Sequence, residues 1–283
     1  MSKHRPRTRQ WSTSQLVLTS ALFITLFANF AFFRNLYATF ASAPAGTLHV
    51  FSLGVALFCI TVVFLSLFSF RHLLKPAFML FFLVAAVSGY FMDSYNVVID
   101  REMILNAVST DLAETRDLLA PQLALYLALL FVLPSVLLWR IRIRPASAGR
   151  ALLTRLALMA AALGLMVSQA LVFGDFYASF IREHKVLRYY ANPVTPLYSV
   201  YTFARKRHSL AGGPVQPLGQ DAKIPPGDIN RELMIMVVGE TARSDRFSLN
   251  GYERETNPEL KTKPVTSFTD VAACGTSTAV AVP

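Results

Sequence analysis

Residues 50–70 read VFSLGVALFCITVVFLSLFSF, a run of 21 positions without Asp, Glu, Lys or Arg. A bilayer core about 30 Å thick is crossed by about 20 apolar residues in a helix. This run is therefore long enough to cross a membrane. Four more uncharged runs of 17 to 19 residues lie before residue 175, at Leu16–Phe33, Pro76–Met92, Gln122–Trp139 and Leu156–Gly174. Together the runs predict an all-α membrane domain of five transmembrane helices over residues 1–175, rather than five buried helices of a soluble protein.

The composition supports a membrane protein. Of the 283 residues, 54% are hydrophobic and 16% are charged, whereas soluble domains carry about 25% charged residues. This composition also excludes intrinsic disorder, and two cysteines are too few for a disulfide-rich miniprotein. The net charge of +10 could suggest a nucleic-acid binder. The basic residues lie in the connections between the apolar runs, however, so we expect a membrane partner and no nucleic acid.

The distribution of charge predicts an orientation. The tail (3–9) and the connections 71–75 and 140–155 carry Lys and Arg without any acid, whereas residues 91–121 carry six acids and two Arg. The positive-inside rule then places the N-terminus in the cytoplasm and everything after Gly174 outside. Ala41-Ser42-Ala43 also resembles a signal-peptide cleavage site. It lies eight residues beyond the first run, so a retained anchor is favoured.

Three segments follow the membrane domain. Residues 176–208 mix aromatic and charged side chains, which predicts helices lying along the membrane interface. Residues 209–230 are rich in Gly and Pro and predict a linker. In 231–283, the apolar run Leu233–Val238 predicts a strand buried on both faces of an α/β sheet, with Glu240 at its carboxyl end. So short a segment cannot complete such a core, so we expect a fragment of a domain.

Two motifs could carry chemistry. Cys274-Gly275-Thr276-Ser277-Thr278-Ala279 places three hydroxyls where a loop enters a helix, a position that suits a phosphate and a nucleophilic hydroxyl. The alternative for these six residues is a simple helix cap. Glu240 suits a metal ligand at a strand end, and its alternative is a solvent-exposed glutamate in a turn.

Read in order, three segments resemble the lipid A phosphoethanolamine transferases, which include the mobile colistin-resistance enzymes: Met236–Asp245, Asn250–Pro258 and Cys274–Ala279. The resemblance implies five transmembrane helices in the inner membrane of a Gram-negative bacterium, a linker and a periplasmic, zinc-dependent domain of the alkaline phosphatase and sulfatase type. It also implies the reaction. Phosphatidylethanolamine would be the donor, a phosphate of lipid A the acceptor, and resistance to polymyxin and colistin the result.

The resemblance assigns roles to individual residues. Thr278 corresponds to the nucleophile that carries the phosphoethanolamine group, and Glu240 and Thr278 correspond to zinc ligands. Position in the motif does not by itself select Thr278 over Thr276 or Ser277. Asn106, Thr110 and Glu114 would share one face of a continuous helix, and the resemblance implies that they line the headgroup pocket. Alternatively, Asp111–Glu114 begins a new helix with a capping pair, which would separate the three side chains.

The chain also departs from the family. None of its five histidines, His4, His49, His72, His184 and His208, follows the linker, whereas the resemblance implies further histidines and an Asp-His pair in the zinc site. His184 and His208 are expected near the membrane interface. The family's partner for Cys274 would lie beyond Pro283, and Cys59 lies inside the second run. The zinc site is therefore expected to be incomplete and this chain alone inactive. Two other functions stay open: a related transferase that modifies a glycan with phosphoglycerol or phosphoethanolamine, and a non-enzymatic truncated membrane protein.

Overall fold

The computed structural model describes residues 10–109, 120–210 and 242–272, together with six single positions between 221 and 239. The chain divides into two units, Met1–Pro214 and Val215–Pro283. The first unit is helical and contains the predicted membrane spans. In the second, the described residues form short turns and one short helix.

The first predicted span is a bent pair of helices rather than one straight helix. Helix α1, Thr13–Phe27, begins at a capping box in which Ser12 and Gln15 bond each other's backbone N–H groups. It stops at Ala28 and Asn29, and helix α2, Phe30–Phe40, leaves at an angle of 57°. The break falls inside the uncharged run 16–33.

Four single helices are long and apolar enough to cross a membrane, and the bent pair brings the number to five among the described residues. They are α3, Gly46–Leu67; α4, Leu74–Tyr95; α6, Pro121–Arg140; and α7, Ala148–Val172. The shorter helix α5, Arg101–Ser109, follows α4. The chain is therefore a multi-pass membrane protein with an all-α N-terminal domain.

Helix α6 contains a π-helical stretch, Leu127–Val132, which ends two residues before Pro134. Proline lacks an N–H group, and its ring collides with the carbonyl four residues earlier in a regular helix. A π-helical turn accommodates that conflict by inserting one extra residue. The side chains after the turn are consequently rotated relative to a regular helix.

The helices pack around two apolar clusters. One lies between α1, α3, α4, α6 and α7, and includes Val17, Ile24 and Phe78. The other includes Phe32, Leu36 and Met92. Helix α7 buries little of its surface, and Leu171 and Leu153 are 82% and 69% exposed. In a bilayer these side chains contact lipid tails, which are as apolar as they are.

A short parallel pairing closes one end of the bundle. Strand β1, Gln10–Trp11, pairs with β2, Arg142–Ile143, and the Arg144 N–H donates to the Trp11 carbonyl at 2.9 Å. This end, which includes Arg140, is called the arginine end below. The opposite end, which includes Asp93 of α4, is called the aspartate end.

Two buried asparagines form hydrogen bonds with backbone groups at the break between α1 and α2. The Asn29 amide donates to the carbonyls of Ile24 (2.9 Å) and Asn192 (3.0 Å), and the Asn192 N–H donates to Asn29 Oδ1 (2.9 Å). The Asn192 amide donates to Ala28 and Ala85, both at 2.8 Å. A β-carbon at Gly89 would lie 3.4 Å from Asn192 Nδ2, so a small residue there lets α4 approach. The carbonyls freed at the break therefore have partners where water is scarce.

Three helices follow the last span: α8, Gly174–Glu183; α9, Lys185–Tyr189; and α10, Val194–Leu210. Phe180 and Tyr190 turn inward and join the second apolar cluster. These helices cover the predicted segment 176–208, and their position at a membrane interface stays a prediction.

The second unit contains two 3₁₀ turns, Ser244–Arg246 and Ser248–Asn250, and helix α11, Pro258–Lys261. Leu233, Ile235 and Val237 of the predicted strand are 76% to 87% exposed. The burial expected on both faces is not found at these positions. A strand is buried only where neighbouring strands and helices cover it, and the described residues of this unit supply no such cover.

We predict that Asn29→Ala and Asn192→Ala each lower the free energy of unfolding by about 2 to 3 kcal/mol. The first removes the partner of the Asn192 N–H and carbonyl, and the second removes the side-chain partner of the Ala28 carbonyl. The double variant should lose less than the sum, since the Asn29 side chain bonds the backbone of Asn192 and both residues hold the same break. Unfolding of the purified chain in detergent, followed by helical circular dichroism, measures this. Asn35→Ala is the matched control, because its amide bonds nearer the surface. Additive losses of stability in the double variant, or an equally large loss in Asn35→Ala, would contradict the role given to the two asparagines.

Candidate functional site

A polar cluster lies at the aspartate end of the bundle, centred on Asp93. Its Oδ1 accepts the Ala31 N–H at 2.7 Å, and its Oδ2 accepts the Tyr126 hydroxyl at 2.9 Å. Ala31 is in the first turn of α2, where backbone N–H groups lack partners within the helix and the helix dipole favours an anion. Asp93 therefore caps α2 from α4, and Tyr126 links the same carboxylate to α6.

Asn96 extends this cluster beyond the end of α4, where it adopts a left-handed conformation with φ 52°. Its side-chain oxygen accepts from Arg34 and Asn35, both at 2.8 Å, and Arg34 also donates to the Asp93 carbonyl at 3.2 Å. The Tyr190 hydroxyl donates to the Asn96 carbonyl at 2.7 Å. Burial raises the pKa of Tyr190, so its hydroxyl stays protonated and able to donate.

These contacts fix the start of α5, the helix that carries Asn106. Only residues 97–100 separate Asn96 from α5, and Asp100 Oδ1 accepts the Met103 N–H at 2.8 Å at the start of the helix. Helix α5 packs against α10. Asn106 is exposed on α5. Thr110 and Glu114 lie outside the described residues, so the shared face of the three side chains stays a prediction.

In the second unit, the segment around Asn250–Pro258 is held by side-chain hydrogen bonds. Ser248 Oγ accepts the N–H groups of Thr256 (3.3 Å) and Asn257 (3.1 Å) and donates to Glu255 (3.1 Å). The Thr256 hydroxyl donates to the Arg246 carbonyl at 2.7 Å. Gly251, with φ 95°, makes the turn between the two halves.

Asn250 ties this loop to its flanks. Its amide donates to the Ser244 hydroxyl at 2.9 Å, and its oxygen accepts from Ser267 at 2.6 Å. Arg243 makes a bidentate pair with Asp245, which lowers the pKa of that carboxyl group. Lys261 lowers the pKa of Glu255 in the same way. Because both pKa values are lowered, these contributions are present near neutral pH and are lost as the pH falls through the lowered values.

The residues predicted for chemistry, Glu240 and Thr278, lie outside the described residues, as does Cys274. Within the described ranges, no group of three or more His, Cys, Asp or Glu side chains could hold a metal ion. Glu240 and Thr278 supply two oxygen donors, whereas a zinc site takes three or four protein ligands. A zinc site that includes Glu240 and Thr278 therefore needs further ligands and stays a prediction.

Two of the histidines pack in an aromatic cluster. The His49 ring stacks on Phe176 at 4.0 Å between centroids, and His184 lies edge-on to Phe40 at 5.1 Å. His184, directly after α8, thus packs against α2. The sequence had not pointed to Asp93, Arg34 and Asn96. In the sequence, the only indication of this cluster is a carboxylate, Asp93, in the last turn of an otherwise apolar helix.

The sequence matches two family models. The model described as Phosphoethanolamine transferase EptA/EptB matches residues 57–208, and the Sulfatase model matches residues 232–283. The second match agrees with the predicted start of an alkaline-phosphatase-like and sulfatase-like domain.

Individual proteins similar to this chain are also described as phosphoethanolamine or phosphatidylethanolamine transferases. Phosphatidylethanolamine transferase Mcr-1 of Escherichia coli is 40% identical over 97% of this chain and 52% of its own length. Phosphoethanolamine transferase EptA of Escherichia coli K12 is 37% identical over 94% of this chain and 50% of its own. The solved lipooligosaccharide phosphoethanolamine transferase A of Neisseria meningitidis superposes with a TM-score of 0.87 at 25% identity, over 96% of this chain and 52% of that one. The chain spans about half the length of the curated relatives it matches.

We predict that Ser248→Ala speeds hydrogen exchange at Thr256 and Asn257 roughly tenfold, because two backbone N–H groups lose their acceptor. Hydrogen–deuterium exchange of the purified chain, read on peptides from 252 to 261, measures this. Thr262→Ala is the matched control, since its hydroxyl donates only to the Glu259 carbonyl one turn back. Unchanged protection in the Ser248 variant would show that these hydrogen bonds do not hold the loop.

Proposed function

The chain belongs to the phosphoethanolamine transferase EptA/EptB family, and we propose that the complete protein transfers phosphoethanolamine from phosphatidylethanolamine to a phosphate of lipid A. The observation that carries the proposal is the order of the two matches, a transferase membrane domain followed by the start of a sulfatase domain. The donor is supported by the description of Mcr-1, and the acceptor by the lipooligosaccharide substrate named for the Neisseria protein. An added ammonium group offsets negative charge on lipid A, which weakens binding of the cationic polymyxins.

Thr278 carries the group between donor and acceptor. Its hydroxyl oxygen attacks the phosphorus of phosphatidylethanolamine, the bond from phosphorus to the diacylglycerol oxygen breaks, and diacylglycerol leaves with the proton. A phosphate hydroxyl of lipid A then attacks the same phosphorus, the bond from phosphorus to Thr278 breaks, and the Thr278 oxygen takes up the proton of that hydroxyl. Two displacements at one phosphorus let one site serve two lipids in turn.

Glu240 and Thr278 would be two of the ligands of a zinc ion in the complete site, where bound zinc would favour the deprotonated hydroxyl and stabilise negative charge at phosphorus. The other ligands are not supplied by the residues described above. By itself, therefore, the chain is expected to be inactive.

The ethanolamine headgroup binds Asn106 of α5 together with Thr110 and Glu114, which follow α5 in the sequence. Asn106, Thr110 and Glu114 supply an amide, a hydroxyl and a carboxylate, and a carboxylate suits the ammonium group of the donor. The contacts of Asn96 and Asp100 support this assignment, because they fix where α5 begins. The aspartate end of the bundle would then face the periplasm, and the arginine end the cytoplasm, in the bacterial inner membrane.

We predict that Thr278→Ala removes phosphoethanolamine from lipid A, with a loss of at least about a hundredfold, because the covalent carrier is gone. The test uses this chain joined to the C-terminal half of Mcr-1, expressed in a susceptible Escherichia coli strain, with lipid A read by mass spectrometry. Thr276→Ala is the matched control and should keep the modification. Glu240→Gln should lose it.

Lipid A modified as before in the Thr278 variant would contradict the proposed carrier. Unmodified lipid A beside modified glycans would support the alternative glycan transferase. Expressing the chain without the added half should leave lipid A unmodified. Modification by the chain alone would show that its own residues suffice, and would contradict the expected inactivity.

We also predict the orientation from the charges of the connections. Alkaline phosphatase fused after residue 120 or 210 should be active, since it would lie in the periplasm. Green fluorescent protein fused after residue 144 should fluoresce, since it would lie in the cytoplasm. Exchanging the two reporters at each site is the control. Active alkaline phosphatase after residue 144 would place that connection in the periplasm and contradict the predicted orientation.

A further inference from the structure

An apolar groove of about 310 Å³ lies on the surface of the membrane domain between α4 and α6. Met79 of α4 lines one side, Phe131, Val132 and Val136 of α6 line the other, and Trp139 and Arg140 lie at its end. Its volume is in the range of small-molecule pockets. The π-helical turn before Pro134 rotates the lining residues that follow it, so the groove depends on the backbone of α6.

The end of the groove is strongly basic. Arg140, Arg142, Arg144 and Arg150 are all exposed, and the sequence has no acid between Asp117 and Asp175. Among the described residues, none of these arginines forms an ion pair. Their guanidinium groups are therefore available to an anion from outside the chain.

Two neighbouring cations are already committed to the protein. Lys75 Nζ donates to the carbonyls of Trp139 (2.8 Å) and Ile141 (2.9 Å) at the end of α6. Arg155 lies 4.0 Å over the Phe70 ring and donates to the Ser69 carbonyl at 3.3 Å. Lys75 thus fixes the backbone at the groove end, where Arg140 lines the groove and Arg142 follows two residues later.

Strand β2 holds Arg142 beside this end. Its backbone pairs with Gln10, while Ile141 and Ile143 on either side pack against the apolar cluster. Successive strand residues point to opposite faces, so Arg142 projects away from the protein. A fixed cation next to an apolar groove suits a ligand with a charged head and an apolar tail.

We propose that this groove binds a phospholipid with a net negative headgroup, of which phosphatidylglycerol is the simplest. An acyl chain lies along Met79 and Val136, and the phosphate meets Arg140 and Arg142, whose planar groups bind phosphate oxygens in pairs. A zwitterionic lipid fits less well, because its ammonium group would face arginines with no acid nearby. The site lies at the arginine end, about 21 Å along α4 from Asp93, and does not rest on the proposed function.

The chain offers a direct probe of the groove. It contains two tryptophans, Trp11 and Trp139, and Trp139 is 67% exposed at the groove end. In a Trp11→Phe background, Trp139 becomes the single fluorophore. The purified chain is placed in phosphatidylcholine vesicles that contain a minor fraction of either phosphatidylglycerol or phosphatidylcholine brominated on its acyl chains. Bromine quenches tryptophan on contact, so the ratio of the two quenching values measures lipid preference.

We expect quenching to favour brominated phosphatidylglycerol, with an affinity about fivefold higher for each arginine that meets the headgroup. Arg140→Gln with Arg142→Gln should bring the preference close to one. Arg188→Gln removes an exposed arginine of α9 and should keep it. Val136→Phe fills the groove without changing any charge, and should lower both the quenching and the preference.

Equal quenching by the two brominated lipids in the parent chain would overturn the proposal. So would a preference that survives the double arginine change. A full preference in Val136→Phe would show that the arginines attract anionic lipids to the surface without a groove, and would overturn it as well. Helical circular dichroism of every variant confirms that the bundle is folded in each comparison.

Discussion

The pair of buried asparagines, Asn29 and Asn192, supplies hydrogen-bond partners to backbone groups at the break between α1 and α2, the main irregularity of the membrane domain. A helix satisfies its own backbone inside a bilayer, but a break leaves carbonyls that water cannot reach. Here the break between α1 and α2 is closed by four side-chain hydrogen bonds and one backbone N–H of a residue 163 positions away. The same hydrogen bonds therefore hold both the bend of the first span and the segment before α10.

The other polar contacts at this end follow from that arrangement. The bend brings the first turn of α2 to the end of α4, where Asp93 caps it and Arg34 reaches Asn96. Tyr190, two residues before Asn192, holds the Asn96 carbonyl. Helix α5 begins immediately after these contacts. The location of the proposed headgroup helix is thus set by the bend, through a series of hydrogen bonds between elements distant in sequence.

The sequence predicted the spans well and their irregularities poorly, for physical reasons. An uncharged run of about 20 residues is a signal of composition, which needs no knowledge of partners. The break at Ala28 and Asn29 contains neither proline nor glycine, and the residue that stabilises it lies at position 192. The roles of Glu240 and Thr278 came from resemblance, since three adjacent hydroxyls offer no physical basis for choosing one. Leu233–Val238 was assigned burial from its composition, but burial depends on neighbours.

The distance along the chain between the two asparagines has a consequence for biogenesis. When the ribosome has delivered α1 and α2 to the insertion machinery, Asn192 has not yet been translated. Until it arrives, the Ala28 carbonyl lacks its amide partner, whereas the Ile24 carbonyl already accepts from Asn29 in the same segment. The nascent segment must therefore keep the Ala28 carbonyl near water, lipid headgroups or the translocation channel. The first span should therefore settle at its final depth only after the last span has been inserted.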